Sequence, residues 1–337
     1  ALGVMREGQP VFTRCWGLAR PGEDSAIDEE TRFCLGSLSK PFLGQLALTL
    51  VQDGRLRWDD PIQRHLGPLP PHWRGIKVRQ LLNNTSGLRS LGDPTQPDDM
   101  MADPGLRQLI QARGGAAFSE AEQLAVMQGF ALHAPPGRGF LYSNAGFNVA
   151  GMLLGRVAGG SYRDLMHQRI FEPLGMTSAR FLTAEAGFAD MAAPCEVQAD
   201  GRVVDISAQL PPFLKAFYAG GCGGIQLSLR DLMRWDAGLA RHGAALPQLW
   251  ARPVPMDKGV GEDGRRLAYG QGWIVSRSAW GARKVGHGGF IPGYRASYAR
   301  YLGAPNWSVA VLTHHTGVDP DPIASTVAGF FARPAGA

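Results

Sequence analysis

The chain has 337 residues, of which 45% are hydrophobic and 19% are charged, and this composition excludes disorder for the bulk of the chain. The formal net charge is +5, and the arginines are scattered along the chain without a basic run. A charge so mild and so dispersed argues against nucleic acid as a partner. A chain of this length can bury a large core in one domain or in two interleaved ones.

The four cysteines lie far apart and form no Cys-x-x-Cys pair, which argues against a structural zinc site. We expect free, mostly buried thiols at Cys15, Cys34, Cys195 and Cys222. The sequence has no run of about 18 uncharged apolar residues, so we expect a soluble protein without a membrane span. The chain begins at Ala1 with no initiator Met or leader, which leaves the compartment open between periplasmic or secreted and cytoplasmic.

The first predicted elements are two apolar-rich strands, Leu2–Met5 and Val11–Trp16, joined by turn residues into a hairpin. A third short strand is predicted over Arg32–Leu35. From Ser37 to Val51 the apolar residues recur at intervals of three and four, which predicts a helix. This helix is apolar nearly all round, so we expect it to be buried.

Residues 56–200 lack clear strand alternation, and strands return in the last third of the chain. The predicted helices after the first are Val78–Leu82, Ala121–Ala131, Asn144–Val157, Tyr162–Ile170, Leu229–Leu239 and Ile323–Phe331. The predicted strands of the last third are Tyr269–Ser276, Ala282–His287, Tyr294–Tyr301 and Trp307–Thr313.

This order of elements predicts an α+β fold, in which an antiparallel sheet is flanked by helices and carries an inserted all-helical lobe. We expect residues 1–55 and 200–337 to form the α/β sheet domain and residues 56–199 to form the mainly helical lobe. The groove between two such units is the expected place for a functional site.

A Ser-x-x-Lys motif, Ser37 to Lys40, stands where the strand pattern gives way to the first helix. Residues three apart share a helix face, so the Lys40 amine can reach the Ser37 hydroxyl. A serine is a weak nucleophile until a base takes its proton, and burial can lower a lysine pKa enough for that role. The same spacing also fits a surface Ser and Lys in the first turn of a helix.

A second motif, Tyr142-Ser143-Asn144, immediately precedes a predicted helix. A tyrosine near a lysine can act as a general base. The Asn144 amide could donate to a substrate carbonyl and hold the lysine. The alternative is an exposed tyrosine followed by an asparagine that caps the helix.

A third motif, His287-Gly288-Gly289-Phe290, ends the predicted strand Ala282–His287. Two glycines after a strand let a substrate backbone lie close along the edge. The backbone N–H groups of Phe290 and Ser37 could then stabilise a developing oxyanion. A glycine-rich bend with a partly exposed histidine is the alternative.

In the order Ser-x-x-Lys, Tyr-x-Asn, His-Gly-Gly, the three motifs resemble the serine β-lactamase-like and penicillin-binding-protein superfamily. This group contains class C β-lactamases, D-aminopeptidases, DD-peptidases and β-lactamase-like esterases. The segments Asp53–Pro61 and Leu81–Leu88 are similar to segments of the same group.

The resemblance implies a mechanism in which Ser37 attacks a carbonyl and forms an acyl-enzyme. It further implies that Lys40 and Tyr142 carry the proton from Ser37 to the leaving group, while Asn144 positions Lys40 and the substrate. His287, Gly288, Gly289 and Phe290 would line the substrate site. The mechanism needs no metal or other cofactor.

The third motif departs from class C β-lactamases, which have a lysine where this chain has His287. A lysine is a permanent charge suited to a substrate carboxylate, whereas a histidine is near neutrality at pH 7. We therefore favour hydrolysis of an amide or peptide bond, of the D-aminopeptidase or DD-peptidase type, over efficient penicillin hydrolysis. Arg295 could bind an anionic group instead, or it could be a surface arginine.

Two other hydrolase activities stay open, a carboxylesterase acting on small acyl esters and a β-lactamase. A catalytically silent binding protein on the same scaffold is a further alternative, but the joint presence of Ser37, Lys40, Tyr142, Asn144 and His287 argues against it. We expect a small-molecule or short peptide substrate. The sequence leaves the stereochemistry of the substrate and the oligomeric state open.

Overall fold

The computed structural model of the protein describes residues 1–93, 95–96, 98–114, 116–182, 188, 190–210 and 220–332. Its strands in chain order are β1 (Leu2–Arg6), β2 (Gln9–Arg14), β3 (Arg32–Cys34), β4 (Arg180–Phe181), β5 (Cys195–Val197), β6 (Val203–Asp205), β7 (Ile225–Ser228), β8 (Val254–Val260), β9 (Arg266–Tyr269), β10 (Ile274–Arg277), β11 (Arg283–Ile291), β12 (Tyr294–Leu302) and β13 (Trp307–Thr313). Its α-helices are α1 (Ser39–Gln52), α2 (Gln63–Leu66), α3 (Val78–Leu82), α4 (Pro104–Ala112), α5 (Glu120–Gln128), α6 (Asn144–Ala158), α7 (Tyr162–Met166), α8 (Leu229–Leu239) and α9 (Pro320–Ala332).

Within the described residues, the main sheet has eight antiparallel strands in the order β2-β1-β13-β12-β11-β10-β9-β8. Helices cover both faces of the sheet. Successive side chains of a strand point to opposite faces, so one strand contacts the helices on both sides. On β13, Val309 and Val311 pack with α9, whereas Ala310 and Leu312 join the larger core with α1 and α8. This arrangement confirms the predicted α+β class.

Helix α1 lies inside the larger core, as its apolar sequence predicts. The Phe42 ring of α1 stacks on Trp235 of α8 with a centroid distance of 4.1 Å, and Trp235 stacks on Trp273 at 5.7 Å. A glycine in the helix lets the chain approach closely, since a Cβ at Gly44 would lie 2.1 Å from the Gln271 carbonyl oxygen. The helix that carries Lys40 is therefore held rigidly between α8 and the β9–β10 turn.

The region predicted as one strand, Tyr269–Ser276, is instead divided between β9 and β10. Gly272 in the connection has φ +83°, a conformation that ends a strand and that glycine adopts without strain. Apolar residues stand on both sides of the turn, at Tyr269 and at Trp273–Val275, so the sequence alone indicated a single strand. The β9–β10 turn then reaches α1, where Gly272 lies against the Lys40 carbonyl.

Two other boundaries differ from the prediction near the motifs. Strand β11 runs on to Ile291 rather than ending at His287, because all four residues of the third motif stay paired with β12. Ser37 lies in a 3₁₀ turn, Gly36–Leu38, that precedes α1. Tight turns of this kind are common where a helix begins.

Residues 56–199 are mainly helical but include the short strands β4 and β5, which the sequence did not indicate. β4 pairs with β7, and β5 pairs with β6. The boundary between residues 199 and 200 falls in the turn of the β5–β6 hairpin. The division of the chain into a sheet domain and a helical lobe stays a prediction.

All four cysteines carry free thiols, as expected, and Cys34, Cys195 and Cys222 are buried while Cys15 is half-buried. None of the described helices combines the length and the apolar character that crossing a membrane requires.

The close approach at Gly44 predicts an asymmetric response to two helical Gly→Ala substitutions. Gly44→Ala should lower the free energy of unfolding by about 1–3 kcal/mol, because the new methyl group meets a backbone carbonyl that cannot move freely. Gly329→Ala in α9 is the matched control, since a Cβ there has no neighbour within 4 Å. It should raise the stability by about 0.5–1 kcal/mol. Urea unfolding measures both values, and equal effects would contradict the packing described here.

Candidate active site

Lys40 is the centre of the candidate site. Its side chain is completely buried, and an ammonium group there needs an acceptor for each of its three protons. The Nζ atom has three such acceptors, at 2.8 Å from Ser37 Oγ, 2.9 Å from Asn144 Oδ1 and 2.8 Å from the Cys222 carbonyl oxygen. These partners come from three segments that are distant in sequence, so the fold brings the first two motifs together.

Burial lowers the pKa of Lys40 to about 8, although the nearby Cys222 and Asp93 act in the opposite direction. About a tenth of the lysine is then neutral at pH 7. A neutral amine has two protons, which can keep the hydrogen bonds to Asn144 Oδ1 and the Cys222 carbonyl oxygen. Its lone pair is then free to point to the Ser37 hydroxyl. The amine can therefore accept the Ser37 proton without leaving another buried group unsatisfied.

Asn144 is oriented by contacts on both sides of its amide. The Nδ2 group donates to the Leu91 carbonyl at 3.3 Å, which leaves Oδ1 to accept from Lys40. The cap of α6 is Ser143, whose hydroxyl accepts from the Gly146 N–H at 3.0 Å. The alternative in which Asn144 caps the helix is therefore wrong.

Tyr142 lies beside Lys40. The Lys40 Nζ atom is 4.8 Å from the centre of the Tyr142 ring, and the ring is half-buried. Asn84 holds the segment that carries this tyrosine, since its Oδ1 accepts from the Ser143 N–H at 2.9 Å and its carbonyl accepts from the Leu141 N–H at 2.8 Å. Asn84 has φ +59°, a left-handed conformation that asparagine tolerates better than most residues.

His287 is only 6% exposed, unlike the partly exposed histidine of the alternative interpretation. Its Nδ1 lies 2.5 Å from the Gly288 carbonyl oxygen, and its Nε2 lies 2.8 Å from the Tyr269 hydroxyl. Burial and the charge of Lys40 lower the pKa of His287 to about 3. The imidazole is neutral near pH 7, and both of its nitrogens are already bound within the protein.

Two glycines, Gly289 of the third motif and Gly36, let β11 pack against the turn that carries Ser37. A Cβ at Gly289 would lie 1.8 Å from the Leu35 carbonyl oxygen, and one at Gly36 would lie 2.8 Å from the Phe290 nitrogen. The Phe290 backbone nitrogen is therefore next to Gly36, the residue before Ser37. Substituting either glycine would push the two segments apart.

A Cβ built on Gly288 would point to the other side of the sheet from these groups, and the place of Gly288 in the substrate site stays a prediction. A Cβ on it would approach Asp321 of α9 at 3.5 Å, on the opposite face of the sheet. The Phe290 side chain is 52% exposed, and its ring lies 5.5 Å from the guanidinium of Arg295. Arg295 also pairs with Asp319 at 3.9 Å, which agrees with the interpretation of a surface arginine.

Sequence reasoning missed two residues that support the site, Tyr269 and the Cys222 backbone carbonyl. A carbonyl group has no signal in sequence, because every residue has one. Tyr269 reads as an ordinary strand residue, and its contact with His287 depends on how β9, β10 and β11 align. The one local signal in the sequence for a special role of Tyr269 was its position immediately before a Gly-x-Gly turn.

Comparison with known proteins places this geometry in a family. The β-lactamase family matches residues 1–330. Penicillin-binding protein 4* of Bacillus subtilis (strain 168) is 27% identical over 313 residues, covering 88% of this chain and 63% of that protein. A D-aminopeptidase of Cereibacter sphaeroides is 28% identical over 321 residues, covering 93% of this chain and 56% of that protein. The chain thus spans between about half and two thirds of the length of these curated relatives.

Solved structures share the fold. A penicillin-binding protein from Bacillus halodurans superposes with a TM-score of 0.78 at 23% identity, covering 97% of this chain and 95% of that one. The D-amino acid amidase from Ochrobactrum anthropi SV3, in complex with L-phenylalanine, gives 0.77 at 22% identity, covering 98% and 93%. The match over nearly the whole chain confirms the resemblance carried by the three motifs, and the protein belongs to the β-lactamase family.

Proposed function

We propose that this protein is a serine hydrolase that cleaves an amide or peptide bond through an acyl-enzyme on Ser37. The observation that carries the proposal is the Lys40 amine, which is buried, has a pKa of about 8 and lies 2.8 Å from the Ser37 hydroxyl. A serine becomes a useful nucleophile when such a base adjoins it. Relatives named D-aminopeptidase support the same chemistry.

In the proposed first half-reaction, Ser37 Oγ attacks the substrate carbonyl while its proton passes to neutral Lys40. The N–H groups of Ser37 and Phe290 stabilise the oxyanion of the tetrahedral intermediate. Lys40 and Tyr142 then deliver the proton to the leaving nitrogen, the C–N bond breaks and the amine departs. Water hydrolyses the Ser37 ester by the same steps in reverse and returns the proton to Ser37.

The neutral His287 narrows the substrate class within this chemistry. An imidazole whose two nitrogens bind Tyr269 and Gly288 supplies no cation for a substrate carboxylate. Penicillins and the free terminus of a DD-peptide carry such a carboxylate. We therefore favour aminopeptidase or amidase activity, with a D-amino acid residue as suggested by the names of the D-aminopeptidase relatives and the D-amino acid amidase neighbour. Esterase and β-lactamase activities are the alternatives.

Removing the nucleophile tests the acyl-enzyme. Ser37→Ala should abolish covalent labelling by a fluorophosphonate probe, because it removes the hydroxyl that lies 2.8 Å from the Lys40 amine. Ser39→Ala is the control, since this neighbouring hydroxyl accepts a hydrogen bond from the Ile225 N–H and lies outside the proposed mechanism. Gel fluorescence and intact-protein mass measure the labelling. Stoichiometric labelling of Ser37→Ala would refute the assignment of Ser37.

The pKa of Lys40 predicts the pH dependence of acylation. The neutral amine is the reactive form, so the rate of Ser37 labelling should rise with pH and level off above about 8. Lys40→Ala should lose this rise together with about 10²–10⁴ of the rate. The exposed Lys258 provides a control variant, Lys258→Ala, which should keep the parent profile. A Lys40→Ala rate within a few-fold of the parent would contradict the role of this base.

A pair of substrates tests the inference from His287. A short D-alanyl peptide with a free terminal carboxylate and the same peptide as its terminal amide share the scissile bond. We expect the amide form to have the higher kcat/KM by about tenfold or more, since the site supplies no cation to offset the cost of taking the carboxylate out of water. Parallel assays use nitrocefin, a p-nitrophenyl ester, and anilides of D- and L-amino acids. They test the β-lactamase alternative, the esterase alternative and the stereochemistry of the substrate. Preference for the carboxylate form or for nitrocefin would overturn the assignment.

A further inference from the structure

Tyr269 connects the third motif to the second. Its side chain is completely buried at the end of β9, and its hydroxyl lies 2.8 Å from His287 Nε2. Its ring meets the Tyr142 ring edge-on, with centroids 6.2 Å apart at 85°, and packs against Phe140 at 5.7 Å. One side chain therefore contacts both the histidine of the third motif and the tyrosine of the second.

The hydrogen bonds of His287 determine which nitrogen carries its proton. The Gly288 carbonyl can only accept, so the proton of the neutral ring is on Nδ1. Nε2 then accepts a hydrogen bond that the Tyr269 hydroxyl donates. Burial and the neighbouring Tyr142 raise the pKa of Tyr269 well above its usual value, so this hydroxyl stays a donor across the physiological range.

His287 is surrounded by other ionisable side chains, so its charge affects the electrostatics of the site. The groups that face the imidazole are Tyr269 from β9, Tyr142 from the segment before α6, Lys40 from α1 and Tyr298 opposite it on β12. Among these, Lys40 is the one that carries charge near neutral pH. A protonated His287 would place a second cation beside that amine in a buried site, where like charges repel strongly.

We propose that Tyr269 is a positioning residue for the hydrolase site: its hydroxyl holds His287 in the neutral, Nδ1-protonated form, and its ring fixes Tyr142 beside Lys40. Tyr269 does not touch the reacting atoms. It acts through the two residues that its hydroxyl and its ring contact. The proposal rests on the proposed function for its effect on catalysis, whereas the state of His287 can be measured without any substrate.

The first experiment uses the parent protein. Long-range ¹H–¹⁵N spectra of ¹⁵N-labelled protein report the protonation of each histidine nitrogen, and a His287→Asn sample identifies the resonances. From pH 5 to pH 8 we expect His287 to show a protonated Nδ1 and an unprotonated Nε2. A proton on Nε2 would overturn the proposal whether or not the enzyme turns over any substrate.

The second experiment removes the hydroxyl with Tyr269→Phe. The control is Tyr294→Phe, which deletes another buried tyrosine hydroxyl, one that donates to the Ala192 carbonyl instead of to a site residue. In Tyr269→Phe we expect the His287 Nε2 resonance to shift and the ring to titrate at higher pH. We expect kcat to fall about three- to tenfold, the range for one lost neutral hydrogen bond, with KM within about twofold.

The loss in Tyr269→Phe should be larger at low pH, where the released imidazole begins to protonate, and this trend separates positioning from general destabilisation. Tyr294→Phe should leave the His287 resonances and the pH profile unchanged. Unchanged His287 resonances together with a parental kcat in Tyr269→Phe would overturn the proposal. Fluorophosphonate labelling of the parent at Ser37 reports separately on the proposed function, so failure of the one is distinguishable from failure of the other.

Discussion

The removal of one lysine amine from water is the constraint on which the site depends. A buried ammonium without partners would be very costly, so the fold must provide three acceptors around Lys40. It does so with a hydroxyl from the turn before α1, an amide from the start of α6 and a carbonyl from the segment before β7. Stability and chemistry are therefore linked, because the same burial that requires these contacts lowers the pKa of Lys40 to about 8.

Close backbone approach is what holds these segments at bonding distance. Glycines stand where β11 meets the turn of Ser37 and where the β9–β10 turn meets α1, and at Gly36, Gly44, Gly272 and Gly289 a Cβ would lie within 2.9 Å of another backbone. Contacts of this kind leave little room for adjustment, since protein interiors are packed like crystals. The proposed oxyanion donors and the Lys40 base are thus carried by rigid elements, as a preorganised site requires.

The third motif contributes a close backbone approach at Gly289 and an uncharged imidazole at His287, rather than a positive charge. His287 is held between Gly288 and Tyr269, and its low pKa keeps the imidazole uncharged next to Lys40. This leaves one titratable cation at the centre of the site, so the protonation of Lys40 is not opposed by a second positive neighbour. The neutral His287 also distinguishes this chain from β-lactamases that have a lysine at the same position of the motif. This difference agrees with a proposed substrate that has no carboxylate next to His287.

The sequence by itself determined the α+β class, the buried helix after Ser37, the bounds of α8 and β13, and the three motifs, because each depends on local spacing of apolar or reactive side chains. It could not determine that β11 continues through His287, that β9 and β10 are separate strands, or that Tyr269 reaches the imidazole. Those features depend on strand register and on contacts between segments far apart in sequence. Only the tertiary structure decided them, because burial and strand pairing, rather than local propensity, determine where a strand ends and which side chains form hydrogen bonds.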